Sequence, residues 1–156
     1  PVSVGQLTLP ASFVGLPLNW RVGAADRGVS DPAVVQSTMT AHGRGRRPLS
    51  PVQLAARWEE DGDIHLSWIR RTRIGGDSWE QAEVPLGEES ERYELDILDG
   101  GDVVRTVSGL GAPAWLYQAV DQTADFGAPI ASIAFRVCQM SATFGRGVAA
   151  EFQSGD

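Results

Sequence analysis

Lysine is absent from the 156-residue chain, and all 13 basic side chains are arginine. That removes Schiff-base and lysine-nucleophile chemistry at the outset. Cysteine occurs once, at Cys138, which excludes an internal disulfide and indicates no particular redox compartment. Long apolar runs are missing too; none approaches the roughly 20 residues that span a bilayer. No basic start leads into an apolar stretch, so no signal peptide is expected. Positive charge is scarce, with 20 acids against those 13 arginines, a net charge of −7 and a pI near 4.8. Nucleic acid is therefore disfavoured as a partner, because phosphate binding needs a positive surface.

Apolar residues make up 42% of the chain, enough for a packed core. With 18 glycines and 9 prolines the composition favours many short strands and turns over long helices. The opening residue is proline rather than methionine, and the expectation is that the numbering begins inside a longer chain.

The clearest periodic stretch is Ile130 to Gly147, where Ile133, Phe135 and Val137 recur every second residue. That spacing predicts a strand with one face on a core. Gly145 and Gly147 punctuate a turn, and Val148 to Phe152 is expected to pair back as a closing strand. The same alternation appears at Ile64, Leu66 and Trp68, and again at Tyr93, Leu95 and Ile97. Pro51 to Trp58 is a further strand with Val52 and Leu54 in phase. Asp99-Gly-Gly-Asp102 is a hairpin turn into Val103 to Val107. Trp115 to Tyr117 follows, and Ala119 to Phe126 reads as a short helix ending at Gly127. Seven short segments separated by turn signals predict an all-β sandwich. Its expected core includes Leu66, Trp68, Tyr93, Leu95, Phe135 and Val137.

Residues 1–47 read differently. Val4 to Leu9, Leu18 to Val22 and Val34 to Thr40 are strand candidates, but three short strands bury too little to stand alone. They are expected to be a partial β domain or arm, completed by upstream chain or a neighbouring subunit. His42 to Pro48 is a linker; its Arg44, Arg46 and Arg47 either dock on an acidic neighbour or stay solvated, the latter preferred. The second domain then spans 48–156, with a long insertion at 70–91.

Chemistry is thinly represented. Glu88, Glu89 and Glu91 crowd one segment, and Asp61 and Asp63 flank a glycine, but glycoside hydrolysis needs two carboxyl groups held across a cleft. A solvated acidic loop is the expectation. His42, His65 and Cys138 lack metal-ligand spacing, and no G-x-S-x-G elbow occurs. Cys138 falls out of phase with the core residues of its strand, so a structural or surface thiol is expected. No catalytic residue, metal or cofactor is called for. The insertion alone invites a binding hypothesis. Arg70, Arg71 and Arg73 precede Gly75-Gly76, and Trp79 follows, a combination able to stack on sugars or anchor a protein interface. Alternatively, Trp79 folds back on the sandwich while Arg70, Arg71 and Arg73 pair with Glu88, Glu89 and Glu91.

Pro51 with Leu54, Ile64-x-Leu-x-Trp68, Tyr93-x-Leu-x-Ile97, Leu116-Tyr117 and Phe135-Arg-Val137 ending in Gly145-Arg-Gly147 resemble a fibronectin type III domain. Trp68 would be its core tryptophan and Tyr93 its third-strand tyrosine. The family usually places a small or apolar residue where Gln139 stands. The segments RPLSPVQL, GDIHLSWIRRTRIGGDSWE, EVPLGEESERYELDIL and ADFGAP, with NWRVGAADR upstream, resemble the C-terminal part of the large baseplate protein of gene transfer agents, itself similar to phage tail-tip host-specificity proteins. This resemblance implies a structural component of a virion-like particle, located in its tail baseplate and assembled in the cytoplasm. It implies contacts with other baseplate subunits, a homo-oligomer in the particle, and contact with the host envelope. The alternative is a carbohydrate-binding module that recognises a host cell-surface glycan. An independent enzyme is not expected.

Overall fold

Alternating apolar residues can lower their free energy only when one face of each strand meets another apolar face. In the computed structural model, which describes residues 7–24, 26–73, 75–76 and 85–155, that requirement is met by an all-β architecture. The chain divides into two units, Pro1–Gly45 and Arg46–Asp156.

The second unit is a sandwich. Strands β3 (Val52–Trp58), β4 (Ile64–Ile69) and β7 (Ala114–Tyr117) form one antiparallel sheet in the order β3-β4-β7. The other sheet has the order β10-β8-β5-β6 and comprises β5 (Tyr93–Asp99), β6 (Asp102–Leu110), β8 (Ala134–Ser141) and β10 (Ala150–Gln153). A two-residue strand β9 (Gly145–Arg146) pairs with the end of β8. Between the sheets lies one apolar cluster: Ile64, Leu66, Trp68, Tyr117 and Ile133 with Tyr93, Leu95, Ile97, Phe135 and Val137. All six core residues named from the sequence are in it. The three- and four-stranded sheets and their strand order are those of a fibronectin type III-like sandwich.

Local details depart from strict alternation. Val52 is not in phase with Leu54: it is exposed, whereas Leu54 and Ala56 pack on the core. An extra residue between Val52 and Ala55 bulges β3, with Gln53 at φ +51°, and this flips Val52 outward. The closing strand also differs from Val148 to Phe152, because Val148 lies outside it and is exposed. Gly147 stands between β9 and β10, where a Cβ would come within 2.7 Å of the Gln139 carbonyl and 2.9 Å of Pro48. Close approach, not turn geometry, is what requires glycine there. By contrast Gly100 and Gly101, at φ +57° and +99°, form the two-residue turn joining β5 to β6.

The helix α1 (Ala119–Phe126) connects β7 to β8 and ends at Gly127 in the left-handed conformation. Its Gln122 is fully buried but satisfied, donating to the carbonyls of Gly62 and Tyr117 and accepting from the Ile130 amide. Asp63 accepts from the Ala119 amide at the helix start. Arg105 on β6 reaches both Asp121 and Asp125, at 3.1 and 2.6 Å, and Tyr117 donates to Asp125. No helix among the described residues is long and apolar enough to cross a membrane.

The outer face of the larger sheet carries a charged ladder. Asp96 is almost fully buried; its Oδ1 accepts from Thr106, and its Oδ2 accepts from Arg136 and Arg146 at 2.8 and 2.7 Å. Burial acts to raise the Asp96 pKa, but those three donors together outweigh it and hold the carboxyl below the usual range. Cys138, expected as a surface or structural thiol, is 1% exposed although it lies on this outer face. The Arg146 side chain reaches Glu94 and Asp96, the neighbours of Cys138 on this face.

The first unit contains β1 (Pro17–Val22) and β2 (Val35–Thr40), paired antiparallel as a two-stranded ribbon. The expected strand Val4 to Leu9 is corrected in part: residues 4–6 lie outside the described residues, and Leu7 to Leu9 form no strand. Pro10 and a 3₁₀ turn at Ala11–Phe13 follow directly, so the chain bends where a ladder would have to continue. In the ribbon Leu18 stands opposite Met39, Trp20 opposite Ser37 and Val22 opposite Val35, so one face is almost wholly apolar. Val22, Val35 and Met39 are exposed on it. The other face is polar, with Thr38 donating to Asn19.

Two outcomes are expected. In hydrogen exchange, amides of Leu18 to Val22 and Val35 to Thr40 should exchange well before those of Phe135 to Val137, since a two-stranded ribbon is marginal alone; equal protection would mean a single cooperative domain. Acid should also destabilise the sandwich. Asp96 and Asp125 have depressed pKa values in the folded state, Asp125 chiefly through Arg105. Their contribution is present above the unfolded carboxylate value of about 3.9 and is lost as pH falls through the folded values. Urea midpoints should therefore hold steady near neutrality and drop below about pH 4, with a shallower drop for Asp96→Asn.

Candidate functional site

The insertion between β4 and β5 is the feature singled out by the sequence as a binding surface, and its two ends are built as a brace. Arg70 follows the last residue of β4, where the strand delivers its side chain to the returning segment. Its Nη1 donates to the Pro85 carbonyl at 2.8 Å, and its Nε lies 4.0 Å from Glu91 Oε1. Arg73 goes further: Nη2 and Nε both donate to Glu88 Oε1, at 2.9 and 3.3 Å, and Nη2 also reaches the Gly87 carbonyl. The Glu88 side chain is 7% exposed, so this pair is shielded from water and from salt screening. Gly75, at φ +63°, brings the chain against Pro85, where a Cβ would stand 3.2 Å from the ring. Both positive φ and close approach favour glycine at that point.

Tyr93 ties the brace to the core. Its ring is buried and meets Trp68 edge-on with centroids 5.3 Å apart, and its hydroxyl donates to Glu91 Oε1 at 2.6 Å. Burial first, then the bond to Glu91 and its charge, pushes the phenol pKa far up, so Tyr93 stays a neutral donor. The structure connects Arg70, Arg73, Glu88, Glu91, Tyr93 and Trp68, of which the sequence offers only the arginine–glutamate pairing, as one of two alternatives. Arg70 and Arg73 are engaged with the returning segment. Arg71 and Glu89 are exposed. Trp79 lies outside the described residues.

What this arrangement can do chemically is hold a loop. Glycoside hydrolysis needs two carboxyl groups held across a cleft; Glu88 is instead bonded to the Arg73 guanidinium. Elsewhere, Glu59, Glu60, Asp61 and Asp63 line a shallow acidic surface with Leu116, but Asp63 caps the helix and Glu59 pairs with Arg57 at 2.6 Å. Among the described residues no group of three or more His, Cys, Asp or Glu side chains is placed to hold a metal ion. His42 is exposed and His65 half-buried, on separate units.

Two arrangements were missed by reading the sequence. One is the Arg105, Asp121, Asp125, Tyr117 cluster, for which the i, i+4 spacing of Asp121 and Asp125 on the helix is the only local signal. The other is the ladder of Glu94, Asp96, Arg136 and Arg146. Its signal is the placing of acids at outward positions of β5 and of arginine at an outward position of β8, which becomes informative once the two strands are known to pair.

No family model matches the chain, and no characterised protein matches it in sequence. Among solved structures the chain is similar to the rat CD45 extracellular region, domains d3–d4, at 11% identity, covering 97% of this chain and 70% of that one with a TM-score of 0.43. A likeness so distant carries no argument about binding or activity; the sandwich stands on its own strand pairing.

Proposed function

We propose that the chain is a structural, non-catalytic module of a phage-like baseplate, working through contacts with neighbouring protein subunits. The observation that carries this reading is the β1–β2 ribbon. It has an apolar face, a groove of about 400 Å³ lined by Leu7, Leu9, Trp20, Val22, Ser37 and Met39, and, among the described residues, two strands, too few to be stable alone. The Trp20 indole nitrogen is buried and has no hydrogen-bond partner among the described residues. Exposed apolar surface of this kind is costly in water and is retained where a partner covers it. The likeness of the quoted segments to gene transfer agent baseplate proteins supports the choice of assembly. Homo-oligomerisation, cytoplasmic assembly and a place in the tail baseplate belong to the same proposal.

The carbohydrate-binding alternative rests on the insertion, since Arg70 and Arg73 fix both ends of the segment that carries Trp79. A host-glycan role and a subunit-contact role differ in their readouts. Under the structural reading, Val22→Asp or Val35→Asp in the full protein should block incorporation into particles while leaving the sandwich folded. Trp79→Ala should leave incorporation intact. Purified chain should show no retention on a host-glycan array and no turnover of peptidoglycan. Glycan binding abolished by Trp79→Ala would favour the alternative, and hydrolysis abolished by Glu88→Gln or Glu89→Gln would overturn both.

A further inference from the structure

Arg146 makes a contact that its position in the chain does not require. It sits on β9, which pairs only with the end of β8, Met140 opposite Arg146 and Ser141 opposite Gly145. Its side chain crosses β8 to reach β5, where Nε lies 2.6 Å from Glu94 Oε1 and Nη2 donates to Asp96 Oδ2 at 2.7 Å. Glu94 and Asp96 are the cross-strand partners of Cys138 and Arg136. A guanidinium arriving from beyond β8 and bonded to both acids therefore lies over Cys138. This explains why a residue on the outer face is 1% exposed.

The groups that face this contact come from every neighbouring strand. Glu94 and Asp96 belong to β5, and Arg136 and Cys138 to β8. From β10 comes Glu151, opposite Arg136; from β6 come Thr106 and Ser108, bonded to Asp96 and Glu94. The Cys138 sulfur is 3.7 Å from the Glu94 carbonyl. On the far side of the turn the chain is fixed. The Gly147 amide donates to the Gln139 carbonyl, Arg47 donates to the Gly147 carbonyl, and the Val148 amide donates to the Pro48 carbonyl. Residues 142–146 are thus a short flap between two firm points. Arg47 lies over the Phe144 ring at 5.9 Å, and across the sheet, among the described residues, the flap is tied by the Arg146 side chain, whose outer part is in water, at 45% exposure.

We propose that Arg146 is a strap that closes the β8–β9 turn over Cys138, and that this turn opens as a local unit without unfolding of the sandwich. Among the described residues the turn's other contacts are few: two strand pairings, the Ser141 hydroxyl accepting from the amides of Thr143 and Phe144, and Arg47 over the Phe144 ring. Charge-assisted bonds to two carboxylates, one of them buried, are the strongest link in that set. Losing them shifts the opening equilibrium while the core cluster between the sheets stays as it is.

The sole cysteine makes the opening measurable in the intact chain. Thiol modification of Cys138 by a maleimide at fixed pH should be slow in the native protein, and at low urea its rate should depend only weakly on denaturant. Arg146→Ala removes the guanidinium cover as well as its bonds, so the labelling rate should rise at least about 10-fold, and opening of the turn in this variant is read by hydrogen exchange. The global urea midpoint should move much less. Arg146→Lys, which keeps the charge but not the two-pronged reach, should fall between. Arg57→Ala, at an exposed ion pair on the other sheet, should leave the rate unchanged. Hydrogen exchange gives a readout independent of thiol chemistry: Arg146→Ala should deprotect amides of Met140 to Arg146 and spare Leu95 and Val137. If labelling in every chain followed urea with the full slope of global unfolding, the flap would not exist. If Arg146→Ala accelerated labelling only in proportion to lost global stability, Arg146 would be an ordinary stabilising residue.

Discussion

The register between β5 and β8 is the constraint on which most of the molecule depends. Tyr93, Leu95 and Ile97 stand opposite Gln139, Val137 and Phe135, all turned inward, while Glu94 and Asp96 stand opposite Cys138 and Arg136, turned outward. A slip of one residue would exchange the two sets, placing carboxylates in the core and aromatic rings in water. Both faces oppose that slip for different reasons. The inner face resists through the apolar area it would lose, and the outer face through hydrogen bonds that only this register allows. Gln139 is the one polar inward member of the set. It is 2% exposed, and its side-chain nitrogen has no partner among the described residues, so the register imposes a local cost that the surrounding core must offset.

Arginine does in this chain what a mixture of lysine and arginine does in most. Its planar, multi-donor head suits the places where one cation must satisfy two acceptors at once. Arg73 spans Glu88 and the Gly87 carbonyl, Arg105 spans Asp121 and Asp125, and Arg146 spans Glu94 and Asp96. Each of these joins segments distant in sequence, and each closes a place where the sandwich departs from plain hairpins: the insertion, the connecting helix and the β8–β9 turn. The acidic excess of the chain is therefore partly consumed in structure.

The two units differ in how completely they satisfy their own surfaces. The sandwich buries its apolar strand faces internally and ties its irregular segments down. The ribbon leaves Val22, Val35 and Met39 in water and carries no charge on that face, only three arginines and two acids lying anywhere within residues 1–45. A face without charge has no electrostatic preference to defend against a partner, and among the described residues β1 and β2 pair only with each other. Those properties are the ones on which the proposed subunit contact rests.

Period-two spacing of apolar residues determined, from the sequence alone, that the chain is all-β and that Leu66, Trp68, Tyr93, Leu95, Phe135 and Val137 share a core. Such spacing is a local property, and burial of one strand face follows from it whatever the neighbours are. Asp99-Gly-Gly-Asp102 and Gly127 were legible for the same reason, since each turn or cap is specified by residues that adjoin it. Tertiary structure alone decided the rest. Whether Val52 points inward depends on a bulge fixed by its pairing with β4, and whether Cys138 is buried depends on Arg146 arriving from another strand. The pairing of Arg73 with Glu88 was one of two readings left open by the sequence. Between them, shielding, distance and a glycine packed on Pro85 are set by how the chain returns, which no local spacing encodes.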